Sequence, residues 1–115
     1  MRSRENILTP TVFHILLALR GGERHGYEII KQIEHDTQGS IKLLTGTLYG
    51  AIKRLLSEGL IAEKHLPASE QDDPRRRYYV LTSDGLKALT QELARYQLAV
   101  GAALENNLLS PLAYV

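Results

Sequence analysis

The sequence has no cysteine, only four histidines and no long hydrophobic run, and each lack excludes a class of function. Without cysteine the chain forms no disulfide and offers neither a thiolate metal ligand nor a cysteine nucleophile. The histidines show no i, i+4 pair of the kind that binds zinc, so no metal site is expected. No serine has a base partner, and neither a phosphate-binding loop nor a pair of catalytic carboxylates is recognisable. We therefore expect no enzymatic activity and no cofactor.

The hydrophobic residues are dispersed along the chain. The longest apolar run, residues 15–19, is far shorter than the roughly 20 residues that span a bilayer. Arg2 and Arg4 are not followed by the uninterrupted apolar segment of a signal peptide. We therefore expect no membrane partner and a cytoplasmic location. At 115 residues, with 43% hydrophobic and 23% charged residues, the chain has the size and composition of one globular domain.

Charge is close to balanced. The formal net charge is only +1, which does not by itself indicate nucleic-acid binding. Residues 42–77 carry seven basic and five acidic side chains, whereas residues 83–115 carry two and three. This modest asymmetry permits DNA binding without requiring it.

Local signals predict three short helices, a hairpin and a long helix. The first helix begins with Thr9 as N-cap and Pro10 in its first turn. The second covers residues 27–37, and the third runs from its expected N-cap, Thr45, to Glu58. We expect the buried face of the first helix to consist of Val12, Ile15, Leu16 and Leu19, and that of the second to consist of Tyr27, Ile29, Ile30 and Ile33.

Two alternating segments, residues 60–66 and 75–82, predict strands joined by a polar loop that contains two prolines. A hairpin directly after a helix-turn-helix forms a wing. Ile41 or Leu43 is expected to add a single-residue rung to this sheet. The predicted fold is therefore mostly α with a small β-hairpin, as in a winged helix-turn-helix domain followed by a long helix.

The third predicted helix has one apolar stripe and one bare polar face. At helical spacing, the stripe consists of Leu48, Ile52, Leu55 and Leu56. The opposite face carries Gly46, Gly50, Lys53, Arg54 and Ser57. A small, hydroxylated and basic surface of this kind fits a DNA groove, so we interpret the helix as a recognition helix.

Single residues of the helix-turn-helix have distinct expected roles. Lys53 and Arg54 are candidates for base contacts, since arginine can pair bidentately with guanine. Thr47 could contact a base or a phosphate, and Tyr49 could pack its ring and offer its hydroxyl to a phosphate. Tyr27, at the start of the second helix, is expected to add a contact with the DNA backbone, because helix N-termini favour phosphate. For each of these residues the alternative is a solvated helix face.

Three adjacent arginines, Arg75, Arg76 and Arg77, stand beside the polar loop of the predicted wing. Guanidinium groups at such a loop suit phosphate or minor-groove contact. The alternative is pairing with acidic residues of the loop, namely Glu70, Asp72 and Asp73. We prefer phosphate contact, which would make DNA binding fall steeply with salt.

Apolar residues of the last predicted helix recur at spacings of three and four over about two and a half heptads. This seam consists of Leu86, Leu89, Leu93, Tyr96, Val100 and Ala103. A narrow seam beyond the wing favours packing against a second copy of the chain, so we predict a homodimer. The alternative is that the helix folds back onto its own domain.

Four motifs resemble the PadR family of bacterial transcriptional regulators. They are HGYEI at residues 25–29, GTLY at 46–49, RLLSEGLI at 54–61 and RRRYYVLTSDG at 75–85. The length resembles the short subfamily, in which a single C-terminal helix forms the dimer. The resemblance implies a homodimer on an inverted-repeat operator in double-stranded DNA, repression of nearby genes, and release by a small aromatic or drug-like effector.

The resemblance also implies three segments and an effector site. The segments are a flexible arm at residues 1–8, a DNA-binding domain at residues 9–82, and a dimerisation helix with its tail at residues 83–115. Tyr96 would stack a flat effector, because aromatic rings at a dimer seam can line a pocket. Its expected walls, from the first helix, are Phe13, Ile15 and Leu16. The alternative is that Tyr96 is a core residue.

One position departs from the family, in which proline usually follows the GTLY motif. This chain has Gly50 there, and with Gly46 it forms a strip without side chains. The strip either lets the helix backbone approach DNA closely or reflects drift at a solvent-exposed position. The alternative function for the whole chain is a winged-helix module that binds another protein and not DNA.

Overall fold

The computed structural model describes residues 7–65 and 76–109 of the chain. In this part of the chain the helices are α1 (Pro10–Ala18), α2 (Gly26–Asp36), α3 (Thr45–Ser57) and α4 (Ser83–Glu105). The strands are β1 (Arg24–His25), β2 (Ile61–Lys64) and β3 (Tyr78–Leu81), which form an antiparallel sheet in the order β1-β3-β2. The predicted winged helix-turn-helix with a long last helix is confirmed.

Side-chain caps fix several helix starts. The Thr9 hydroxyl accepts from the backbone N–H of Val12 at 3.2 Å, with Pro10 as the first helical residue, as predicted. Thr82 caps α4 by accepting from the N–H of Gly85 at 3.0 Å. The prediction that Thr45 caps α3 is wrong. The N-cap is Leu44, whose side chain makes no capping bond, and Thr45 is already helical.

The third strand of the sheet does not come from Ile41 or Leu43, which was the expectation. It is β1, in which Arg24 pairs with Tyr79 and His25 pairs with Tyr78. The Arg24 guanidinium holds this segment by donating to the backbone carbonyl of Ala18 at 2.8 Å. His25 then caps α2 in a reciprocal box with Glu28, with bonds of 3.0 and 3.3 Å. His25 thus ends strand β1 and caps the start of α2.

The core joins all four helices and the sheet. Its fully or almost fully buried members are Phe13, Ile15, Leu16, Ala18, Leu19, Ile29, Ile33, Leu48, Ile52, Leu55, Ile61, Tyr79 and Leu89. Phe13 is buried because its ring packs edge-to-face on Tyr96 of α4, with centroids 4.7 Å apart. Val12 and Ile30 lie at the core's edge and are only partly buried. The expectation that Tyr27 faces inward is wrong, since its side chain is 63% exposed.

The first half of α4 is attached firmly to the rest of the fold. A Cβ built on Gly85 would collide with the backbone carbonyl of Leu60, so only glycine permits this approach. Leu89 and Glu92 are buried against α1, and a Glu92 carboxylate oxygen accepts the backbone N–H of Leu8 at 3.3 Å. The predicted division between residues 82 and 83 stays a prediction. No helix in the described ranges combines the length and apolarity needed to cross a membrane.

Candidate nucleic-acid interface

The exposed face of α3 is open and nearly bare. Leu48, Ile52 and Leu55 turn its other face into the core, each 2% exposed or less. On the outer face, a Cβ built on Gly46 or Gly50 would meet no atom of the described chain within 4 Å. The packing of this chain therefore does not require glycine at either position, and a helix gains roughly 1 kcal/mol from alanine over glycine.

Two tyrosine–lysine pairs adjoin this face, and each pair has i, i+4 spacing on its own helix. On α2, Tyr27 is 63% exposed and the Lys31 ammonium lies 5.5 Å from its ring centroid. On α3, Tyr49 is 45% exposed and Lys53 is exposed one turn further on. The Tyr49 hydroxyl packs against Gly26, the neighbour of Tyr27, so the two pairs lie side by side. We call these four residues the tyrosine–lysine surface.

Lys31 was not among the residues predicted for DNA contact. Its sequence signal is the repeat of the pair itself, Tyr27–Lys31 on α2 and Tyr49–Lys53 on α3. The repeat indicates a shared surface only once the fold is known to place α2 and α3 side by side. Four hydroxyl and ammonium donors on one exposed surface can bind the oxygens of successive phosphates.

Arg54 lies on the flank of α3 that borders the first turns of α1 and α4. Its Nε donates to Glu58 Oε2 at 3.3 Å, and both side chains border a cavity of about 410 Å³ beside the first turns of α1 and α4. Lys53, by contrast, forms no ion pair with any residue in the described ranges. Of the two predicted base-contacting residues, Lys53 is therefore the more available, and Arg54 must first leave Glu58.

The three wing arginines differ in what the structure shows of them. Arg75 lies outside the described residues, as do the loop acids that were the alternative partners. Arg76 is exposed, and Arg77 Nη1 donates to Glu63 Oε1 of β2 at 3.0 Å. The partner of Arg77 is thus a strand carboxylate that the sequence reasoning did not consider.

Tyr79 anchors the wing beneath this surface. It is 3% exposed, and burial raises the pKa of its phenol, with further contributions from nearby Tyr49 and Glu63. Because Tyr79 also pairs with Arg24 of β1, one buried residue joins the wing to the start of α2. The wing and the two tyrosine–lysine pairs are therefore held in a fixed relation.

The predicted seam of α4 divides into buried and exposed residues. Leu89 is 2% exposed and belongs to the core of its own chain, whereas Leu86, Leu93 and Tyr96 are 52%, 37% and 40% exposed. Val100 and Ala103 are partly exposed further along the helix. Leu98, at 75% exposed, was not in the predicted seam.

The three predicted walls of the effector pocket are buried, and the effector site itself stays a prediction. Ile15 and Leu16 are 0% exposed, so neither can contact a ligand without disrupting the core. Phe13 is 5% exposed, and its free edge is covered by Tyr96. Of the four residues, Tyr96 alone has substantial exposed surface.

The tyrosine–lysine surface and the wing lie within a segment that matches a known family. The profile of the transcriptional regulator PadR-like family matches residues 15–91. The chain belongs to the PadR family. This confirms the predicted resemblance, and because PadR proteins are transcriptional regulators, it also confirms that the chain is a regulator and not an enzyme.

The chain is also similar to individual proteins and solved structures. An uncharacterised protein of Lysinibacillus sphaericus is 35% identical over 81 residues, which are 70% of this chain and 72% of that protein. A PadR family transcription regulator from Clostridium difficile is 28% identical with a TM-score of 0.69, covering 84% of this chain and 97% of that chain. Bacillus subtilis PadR in complex with operator DNA is 25% identical with a TM-score of 0.61, covering 73% of this chain and 46% of that chain.

Proposed function

We propose that this PadR-family regulator is a sequence-specific repressor that binds an inverted-repeat operator as a homodimer and is released by a small aromatic or drug-like effector. The observation that carries its DNA binding is the tyrosine–lysine surface beside the bare face of α3. The complex of Bacillus subtilis PadR with operator DNA supports the same use of this fold here. Repression and effector release rest on the family resemblance.

The proposed contacts divide into positioning and reading. The hydroxyls of Tyr27 and Tyr49 donate hydrogen bonds to phosphate oxygens. These contacts set the register of α3 on the duplex. Lys53 and Thr47 face the bases from the open side of α3, where Gly46 and Gly50 add no bulk. Sequence is then read in the major groove, as in other helix-turn-helix proteins.

The remaining arginines contribute charge. Arg54 and Arg77 can bind phosphate once they release Glu58 and Glu63, and Arg75 and Arg76 are proposed to contact phosphate as well. An exposed ion pair contributes only about 0–1 kcal/mol, so this exchange costs little. The wing arginines thus act on affinity and on salt dependence more than on sequence preference.

Dimerisation is proposed through α4. The predicted seam of α4 leaves apolar surface exposed on Leu86, Leu93 and Tyr96, and it continues with the partly exposed Val100 and Ala103 beyond the contact between Tyr96 and α1. Burying such a strip against a second copy is favourable at about 25 cal/mol for each Å² of apolar surface. Residues 83–115 then act as the dimerisation segment, residues 9–82 as the DNA-binding domain and residues 1–8 as an N-terminal arm, in a protein that works in the cytoplasm.

The effector is proposed to contact Tyr96. A partner α4 would complete the exposed groove formed by Leu93, Tyr96, Val100 and Leu104. A flat ligand could then stack on the exposed face of Tyr96. The core residues Ile15 and Leu16 would only support this site from behind.

Fluorescence anisotropy tests the DNA-binding part directly. Labelled DNA from upstream of the protein's own gene is titrated at several salt concentrations. We expect saturable binding whose log affinity falls linearly with log salt, by roughly 0.9 for each neutralised phosphate. No saturable, salt-sensitive binding at moderate salt would instead favour a winged-helix module that binds another protein.

A further inference from the structure

The Tyr49 side chain packs against Gly26. Gly26 is buried at the start of α2, between the capping residue His25 and the exposed Tyr27. A Cβ built on it would lie 2.7 Å from Tyr49 Cζ, would lie closer still to the Tyr49 hydroxyl, and would be 3.3 Å from Leu48 Cδ2. The absence of a side chain at residue 26 therefore determines where the Tyr49 ring can lie.

The backbone of Gly26 does not need glycine. Its φ is not among the positive values of this chain, which are found at Gly22, Gly39 and Gly59. Alanine would fit the backbone at this first position of α2 and would favour the helix by up to about 1 kcal/mol. What alanine would disturb is the neighbouring helix, through the Tyr49 ring.

The expected disturbance is a shift of one side chain and not of the fold. The colliding atoms are at the far end of Tyr49, whose ring is 45% exposed and can move outward. Carbon atoms in contact lie about 3.5–4.0 Å apart, so the ring must retreat by roughly 1 Å. A functional group misplaced by that distance loses a large part of its binding contribution.

We propose that Gly26 is a positioning residue for DNA binding: it seats Tyr49 of α3 against the start of α2 and so fixes the spacing of the two tyrosine hydroxyls on the DNA-facing surface. The proposal rests on the proposed function. A methyl group added at residue 26 would be buried between α2 and α3, so its main effect on DNA binding would pass through Tyr49, with which it overlaps most.

The test uses Gly26→Ala in the full chain. We expect thermal stability to be unchanged or higher while operator affinity falls roughly tenfold, since a charge-assisted hydrogen bond is misplaced in each protomer. Gly21→Ala is the matched control, because a Cβ there meets nothing within 4 Å and should leave affinity unchanged. In a Tyr49→Ala background, Gly26→Ala should cost little further affinity, because the side chain with which the added methyl group overlaps most has been removed.

A second measurement does not need DNA. With 3-fluorotyrosine incorporated, the ¹⁹F resonance of Tyr49, assigned by its loss in Tyr49→Phe, should shift in Gly26→Ala and not in Gly21→Ala. Wild-type affinity in Gly26→Ala, or an equal loss in the Tyr49→Ala background, would overturn the proposal. If wild-type protein binds no operator at all, the proposed function fails, whereas an unmoved ¹⁹F resonance refutes the seating of Tyr49 alone.

Discussion

Arg77, the residue before β3, donates a hydrogen bond from its guanidinium to the Glu63 carboxylate of β2 at 3.0 Å, across the wing. Both side chains lie at the surface, with 65% of Arg77 and 33% of Glu63 exposed. The guanidinium that would meet a phosphate is therefore already paired in the free protein. Glu63 competes with DNA for the same cation.

Replacing Glu63 with glutamine should raise operator affinity by roughly two- to fivefold, because it frees Arg77 and removes a negative charge. The free energy of unfolding should change by less than about 1 kcal/mol, as expected for an exposed pair. Anisotropy at low and high salt would measure the first effect, and the increase should disappear in an Arg77→Ala background. An increase of the same size without Arg77 would mean that Glu63 acts on DNA only through overall charge.

Lys53 is the cation of α3 that has no ion-pair partner in the described ranges. Changing it to alanine should lower operator affinity and relax the preference for the bases that α3 contacts, since one base contact discriminates by roughly 1–3 kcal/mol; anisotropy on operator variants would measure both effects. Lys87→Ala is the control for the loss of one exposed lysine, since Lys87 lies on α4 outside the tyrosine–lysine surface. The same affinity and base preference in both variants would remove Lys53 from the interface.

Gly50 can be tested without disturbing any packing. Gly50→Ala should raise the free energy of unfolding by about 1 kcal/mol, since the position is helical and open. If the glycine strip lets the backbone approach the groove, operator affinity should fall at the same time. Thermal melts and anisotropy on one preparation would measure both, and a stabilised variant with unchanged affinity would contradict the close-approach idea.

Dimerisation through α4 predicts a mass near twice 12.9 kDa in solution. Leu93 is 37% exposed, so Leu93→Glu should leave the single chain folded while it charges the proposed seam. Light scattering should then report a monomer, and circular dichroism should be retained. Gln91→Glu adds the same charge at an exposed position outside the seam and should remain dimeric. A dimer in both variants would place the interface elsewhere.

Acid sensitivity should follow from Asp36, which accepts from both terminal nitrogens of Arg20 at 2.8 and 3.1 Å. These bonds, helped by Gln32, lower the pKa of the Asp36 carboxyl below its usual 3.8. Because the folded pKa is the lower one, the pair stabilises the fold above pH 3.8, and this contribution is lost as the pH falls through the folded value. Asp36→Asn should cost roughly 1 kcal/mol at pH 7, and denaturant melts should show the difference shrinking below pH 4. A constant difference across that range would contradict the linkage.

The parts of the fold that the sequence predicted correctly have local causes. Thr9 and Pro10 act on the backbone within one turn, and α1 begins where they predict. Strand alternation around Tyr79 likewise depends on neighbouring residues, and Tyr79 is the buried member. The cap at Thr45 was misplaced by one residue, because Leu44 takes the extended conformation without any side-chain signal.

The parts that were missed depend on distant contacts. The two-residue strand β1 exists because Tyr78 and Tyr79 pair with it, and nothing in Arg24 or His25 marks a strand. Phe13 lay outside the expected stripe, and it is buried by Tyr96, 83 positions later in the chain. The contact between Gly26 and Tyr49 is of the same kind, since neither residue predicts the other until two helices are packed.

Footprinting of the DNA upstream of the gene tests the central claim most directly. Two copies of α3 in successive major grooves predict two protected half-sites related by inverted symmetry, with centres about 10 base pairs or a multiple of one helical turn apart. The Tyr49→Ala/Lys53→Ala variant should lose this protection at protein concentrations where wild type gives it fully, with its circular dichroism unchanged. Uniform protection without paired half-sites, or a footprint that the variant retains, would contradict the assignment of the tyrosine–lysine surface to operator binding.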